Sequence, residues 1–201
     1  AARDALRSTA RDRSMMALIA SQAGLFAVTP VLLLSLPFIV IDELGLPERT
    51  VGALFAVALA GGIVAFLVLH RDHAVRIVAR PLLPLAYAAM GAGFLVLTIS
   101  VTLPAIVLVA LLVGAASATV YLYTTTWIQM IAPHQLHGRY FALLESGSSL
   151  VAPVGYLLAG TLLELVGPGF RWTLFGVCGA GAVAWALVVL RLAPWRRAAV
   201  R

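Results

Sequence analysis

AIVLVALLVGAASATVYLYTTTWIQMIA, residues 105–132, contains no formally charged side chain. A helix of about 20 apolar residues crosses the roughly 30 Å hydrocarbon core of a bilayer, so this stretch is long enough to span it. Helices in water-soluble cores are usually shorter and keep a charged face toward solvent. Five further stretches have the same character: Met15–Ile41, Val51–Leu69, Leu82–Leu103, Tyr140–Val166 and Trp172–Leu192. The gaps between them are too short for a soluble domain. The chain therefore reads as an all-α membrane protein of six transmembrane helices.

Composition agrees. Hydrophobic residues make up 62% of the chain and charged residues 11%, against roughly 45–50% and 25% in soluble domains. Mean hydropathy is +1.03. The net charge of +6 does not indicate a nucleic-acid partner, because the arginines sit in the gaps between spans rather than on one polar face. There is one cysteine, Cys178, so no intrachain disulfide can form.

The arginines also orient the chain. Arg3, Arg7, Arg11, Arg13, Arg71, Arg76, Arg80, Arg139, Arg191, Arg196, Arg197 and Arg201 fall on one side of a six-span topology. Arg49 and Arg171 fall on the other, with Asp42, Glu43 and Glu48. Basic loops stay inside, which places both termini and the two inner loops in the cytoplasm; the membrane is expected to be a bacterial plasma (inner) membrane. Residues 1–14 read as an arginine-rich cytoplasmic linker, 15–194 as the transmembrane domain and 195–201 as a cytoplasmic tail. With Ala1 in place of Met and no signal peptide, the chain is expected to be a piece of a longer protein.

Small residues recur at helix-packing intervals: Gly52, Ala56 and Ala60; Ala110, Gly114 and Ala118; Gly176 and Ala180. Such spacing lets helix backbones approach closely in lipid. Pro30, Pro37 and Pro153 each remove a backbone donor inside a span and are expected to bend it. Glu145 is the one ionisable side chain well inside a span, about 10 Å along the helix from Gly138. A charge at that depth is costly and usually functional. It is a candidate proton-coupling or cation-recognising carboxylate, with a shallow interfacial carboxylate as the competing reading.

Residues 132–144, APHQLHGRYFALL, followed by Ser148-Ser149, Pro153, Gly155 and Ala159-Gly160, resemble the cytoplasmic loop and fifth helix in the C-terminal half of a major facilitator superfamily transporter. The similarity is greatest to the branch of macrolide-efflux-like and siderophore-export-like carriers, and it extends over about residues 15–194. His134 and His137 depart from the acidic residue and arginine usual at those positions. The glycine- and arginine-rich motif between the second and third helices is reduced to Asp72 with Arg76 nearby.

The resemblance implies two inverted three-helix repeats, about 15–103 and 104–194, with the first and fourth spans lining a central cavity and the third and sixth packed outside, facing lipid. Polarity supports the cavity. Ser117, Tyr121, Thr124 and Thr125 share a face of the fourth span, which Gln129 continues, and Gln22, Phe26 and Thr29 align on the first. These eight are the substrate-cavity candidates. Asp72, Arg76 and Arg139 are cytoplasmic gate candidates, able to pair in one conformation and separate in another. The implied activity is secondary active transport by alternating access, as proton-coupled efflux of a small, partly apolar molecule. The implied partners are an N-terminal six-helix half, absent from this sequence, the lipid bilayer and a small-molecule substrate. A dimer of two copies would be the other way to complete the cavity, and a non-transporting scaffold or sensor on the same fold is the alternative function.

Enzymatic readings have little support. There is no H-E-x-x-H, and the serines near Ser148 have no intramembrane histidine to activate them. His134 and His137 alone are too few ligands for a metal. No cofactor or metal is expected.

Overall fold

The computed structural model describes residues 13–70, 81–131, 134–166 and 170–192. Six helices account for nearly all of them: α1 Arg13–Pro37, α2 Arg49–His70, α3 Leu82–Ile99, α4 Leu103–Ile131, α5 His137–Val166 and α6 Phe170–Leu192. Each corresponds to one of the six apolar stretches and is long and apolar enough to cross a membrane. The chain is a multi-pass membrane protein. Helices suit that environment because every backbone N–H and C=O in hydrocarbon must be satisfied within the protein.

Of the three prolines only Pro37 stands at the end of an α-helix. α1 and α5 continue through Pro30 and Pro153, while after Pro37 the winding widens into a π-helical segment, Phe38–Glu43. The turn into α2 is made at Gly45, whose φ of 63° is a left-handed conformation that glycine adopts without a Cβ clash. Around it, the Leu44 and Leu46 amides donate to the carbonyls of Ile39 and Val40 at 3.1 and 2.9 Å.

Four long helix contacts build the bundle: α2 along α4, α1 along α5, α3 along α6, and α3 along α4. Exchanging each helix for the one three later turns the α2–α4 contact into α5–α1 and maps α3–α6 onto itself; only α3–α4 lacks an equal, since its counterpart α6–α1 is a short contact. This is the packing of two three-helix repeats, α1–α3 and α4–α6. Because each repeat crosses the membrane an odd number of times, the second starts on the opposite side and is inverted.

The close crossings are made by glycine, though mostly not by the stripes the spacing suggests. Gly114 and Gly61 bring α4 and α2 together: a Cβ on Gly114 would lie 1.8 Å from the Ala58 carbonyl oxygen, and one on Gly61 2.2 Å from that of Leu111. Gly155 does the same on α5, with its virtual Cβ 2.6 Å from the Ala27 oxygen. Gly91 and Gly179 face each other across α3 and α6. Gly52 and Gly176 meet nothing within 4 Å, and Ala56, Ala60 and Ala180 are exposed. The true contact face of α2 therefore lies away from the Gly52–Ala60 stripe.

α3 departs from its expected place as an outer, lipid-facing helix. Half of its most apolar stretch is buried, the largest share among the six. Tyr87, Met90, Phe94 and Leu97 are all enclosed, and Phe94 stacks on Phe175 of α6 with ring centroids 5.9 Å apart.

Candidate functional site: a groove between α1, α2 and α4

The glycine crossing pulls α2 against α4, while α1 makes only a short contact with α4. The space left is a groove of about 590 Å³ at mid-depth in the bundle, walled by Thr29, Leu33 and Leu36 of α1, by Phe55, Leu59 and Ile63 of α2, and by Gly114 and Ser117 of α4. Its surface is almost wholly apolar. The Thr29 hydroxyl donates to the Leu25 carbonyl at 2.8 Å, as hydroxyls in helices commonly do. Ser117 makes no hydrogen bond among the described residues. The groove thus presents an apolar wall with one uncommitted hydroxyl, the usual make-up of a small-molecule site.

The eight cavity candidates are distributed over three settings. Thr29 and Ser117 line the groove. Gln22 and Thr124 are buried between α1 and α4, where the Thr124 hydroxyl lies 3.2 Å from Gln22 Oε1 and shares its one hydrogen between that oxygen and the nearer Val120 and Tyr121 carbonyls of its own helix, at 2.9 and 3.0 Å. Tyr121 is half exposed, Gln129 is exposed, and Phe26 and Thr125 are half-buried, with the Thr125 hydroxyl donating to the Tyr121 carbonyl at 2.8 Å. The structure therefore brings Thr29 to Ser117 and Gln22 to Thr124 rather than all eight to one surface.

A polar cluster missed by the sequence reading joins three helices beside Gln22. Ser21 of α1 is fully buried. Its carbonyl accepts a hydrogen bond from the Tyr87 hydroxyl of α3. Its own Oγ accepts one from Trp185 Nε1 of α6 at 3.1 Å and donates to the Ala17 carbonyl at 2.7 Å. The signal was present as adjacent polar residues in an apolar span, with Tyr and Trp elsewhere, since a buried Tyr or Trp usually finds a partner for its polar end.

On α5, Glu145 is exposed, as are Ser146 and Ser149, whereas Ser148 is buried and donates to the Leu144 carbonyl at 2.8 Å. Of the gate candidates, Arg139 is exposed at the start of α5; Asp72 and Arg76 lie outside the described residues. His134 and His137 stack at 4.7 Å between ring centroids. Among the described residues there is no group of three or more metal-ligating side chains.

The Major Facilitator Superfamily profile matches residues 15–200. The chain belongs to that superfamily. Six apolar helices in two inverted repeats correspond to half of a major facilitator fold, and the superfamily is one of membrane transporters. No curated protein and no solved structure matches the chain. In this major facilitator half, the helices with the smallest buried share are α2 and α5, which occupy equivalent places in the two repeats. Leu59, Ile63 and Leu67 of α2 and Leu150, Leu157 and Leu158 of α5 are all more than half exposed.

Proposed function

We propose that the chain is the C-terminal half of a secondary transporter that works by alternating access, and that the groove between α1, α2 and α4 is its share of the substrate wall. The observation that carries this is the groove itself, an apolar recess of about 590 Å³ at mid-depth, where transporters of repeated architecture hold their substrates. Its lining favours a small molecule with an apolar body and a single polar contact, made to Ser117.

The partner in this reading is an N-terminal six-helix half. The open apolar faces of α2, which lines the groove, and of α5, which lines the separate recess beside α1, suit such a partner. Glu145 is the proposed proton-coupling carboxylate, placed on α5 away from the groove, and Arg139 with Asp72 and Arg76 the proposed cytoplasmic gate. The direction proposed is efflux, on the similarity of residues 132–144 to macrolide-efflux-like and siderophore-export-like carriers. Both termini are placed in the cytoplasm of a bacterial inner membrane, following the arginine distribution.

The test is flux. Reconstituted into vesicles with its N-terminal half, the chain should move an apolar small molecule against its gradient when a pH difference is imposed. A scaffold or sensor would bind or respond without moving anything across the vesicle, and zero flux with an intact fold would overturn the proposal.

A further inference from the structure

From Gly138 to Gly160, α5 turns a broad side away from the rest of the bundle. At 3.6 residues per turn, that side divides lengthwise into two strips. One carries Ala142, Glu145, Ser146, Ser149, Pro153 and Tyr156, all exposed, and holds no leucine, isoleucine or valine. The other carries Leu150, Val154, Leu157 and Leu158, exposed as well. Val154 and Leu158 border a recess that they share with Val177 and Cys178 of α6. The aliphatic strip therefore lies on the α6 side of α5, and the polar strip on the side away from it.

The polar strip is also unsatisfied. Ser148 and Thr161 of the same helix donate to the Leu144 and Leu157 carbonyls, four residues back, the usual solution for a hydroxyl inside a span. Among the described residues, Glu145 and the hydroxyls of Ser146, Ser149 and Tyr156 make no hydrogen bond. Pro153 has no N–H, so the Ser149 carbonyl lacks the amide that a helix supplies four residues on. Ser149 lies about 16 Å along α5 from Gly138, near the middle of a hydrocarbon core roughly 30 Å thick. Hydrocarbon offers such groups no partner, and leaving them bare in it is costly. Ionisable side chains in spans accordingly face protein or a water-filled cavity. α2, the equivalent helix of the first repeat, has no such strip: its exposed residues from Gly52 to Val68 are all apolar. The strip is a property of α5 and not of the repeat.

We infer that the strip through Glu145, Ser149 and Tyr156 faces water, lining a path that runs from the arginine-rich end of the bundle to Tyr156, about 27 Å along α5 from Gly138. The aliphatic strip beside it is covered by hydrocarbon, of lipid or of a partner half. α5 then joins the first and fourth spans in lining the aqueous cavity. Glu145, which lies away from the α1–α2–α4 groove, has a water route of its own by which to exchange a proton. A partner half is needed only to close this path on its far side, and to that extent the inference rests on the function proposed above.

The experiment compares single cysteines at neighbouring positions, so that depth in the membrane is held constant within each pair. Ser149→Cys is paired with Leu150→Cys, and Tyr156→Cys with Leu157→Cys, in the protein as its own cells make it, with C178A in this chain and no other cysteine. A charged, membrane-impermeant thiol reagent is present on both faces of membrane vesicles, and the rate of modification is measured. The thiolate is the reacting form and is suppressed in apolar surroundings, so Ser149→Cys and Tyr156→Cys should react about tenfold or more faster than their neighbours. If a Tyr156 variant does not insert, the pair at Ser149 and Leu150 carries the decision. Equal rates within a pair would overturn the inference. So would a polar strip that does not react at all, as expected if it packs directly on another helix. Because no transport is measured, a scaffold or sensor with this water path would give the same pattern, and zero flux in the preceding test would leave it standing.

Discussion

α2 and α5 hold equivalent positions in the two repeats yet differ in almost everything but their packing. Each crosses its partner helix at backbone distance through glycine, Gly61 on α2 and Gly155 on α5. Between Thr50 and His70, α2 has no polar side chain at all, and its mean hydropathy of 2.6 is twice the 1.3 of α5. α5 carries Glu145, Ser146, Ser148 and Ser149 along its first half. The inverted repeat therefore preserves the crossings and lets the chemistry diverge. One flank of the bundle supplies an apolar wall for the groove; the other supplies the only carboxylate well inside a span.

The comparison can be broken most forcefully at the crossings. A Cβ at Gly114 would sit 1.8 Å from the Ala58 oxygen and one at Gly155 2.6 Å from the Ala27 oxygen, backbone atoms in both cases. Overpacking typically costs about 1–3 kcal/mol. Gly155→Ala should fall in that range, and Gly114→Ala should exceed it and prevent α2 from seating on α4. Thermal unfolding in detergent measures both, and equal losses would mean that the two crossings are equally tight.

The chemical half of the comparison is sharpened at Glu145. On the proposed role of Glu145, Glu145→Gln in the chain reconstituted with an N-terminal half should abolish pH-driven transport while leaving substrate binding and expression intact, since glutamine keeps the shape and polarity but cannot carry a proton. Weakened binding of cationic substrates alone would instead assign the carboxylate to recognition. Transport with unchanged pH dependence would remove any functional role for it.

The smallest effect is expected at Gly52, on the exposed face of α2. Nothing lies within 4 Å of its virtual Cβ, so Gly52→Ala should change stability by no more than about 0.5 kcal/mol, as surface substitutions usually do. A large loss in the same unfolding measurement would restore the Gly52–Ala60 stripe as a packing face.

Much of this architecture is legible in the sequence, because a helix that crosses hydrocarbon must be long, apolar and bounded by polar gaps. All six spans announce themselves in that way. Their facing is harder to read. In lipid both the buried and the outward sides of a helix are apolar, so hydropathy does not distinguish the Gly61 face of α2 from the Gly52 face. The same ambiguity hid the burial of α3, whose Tyr87 looks isolated until Ser21 and Trp185 are brought to it from residues far away in the chain. Among the cavity candidates, helical spacing placed Ser117, Thr124 and Tyr121 on one broad face, yet neighbouring helices divide that face: Thr124 turns to Gln22, Ser117 to the groove and Tyr121 toward the outside. Spacing gives the direction of a side chain from its own axis. Which helix lies in that direction is a property of the assembled bundle.

The central proposal, that substrate runs along the α1–α2–α4 groove, is tested most directly by comparing two leucine substitutions in the chain reconstituted in vesicles with an N-terminal half. Ser117→Leu fills the groove and removes its uncommitted hydroxyl. Gly181→Leu fills the separate recess between α1, α5 and α6, where a Cβ meets nothing within 4 Å. The account predicts that Ser117→Leu abolishes flux and that Gly181→Leu preserves it, both proteins being folded and inserted. Flux that survives Ser117→Leu, or is lost equally in both variants, would contradict it.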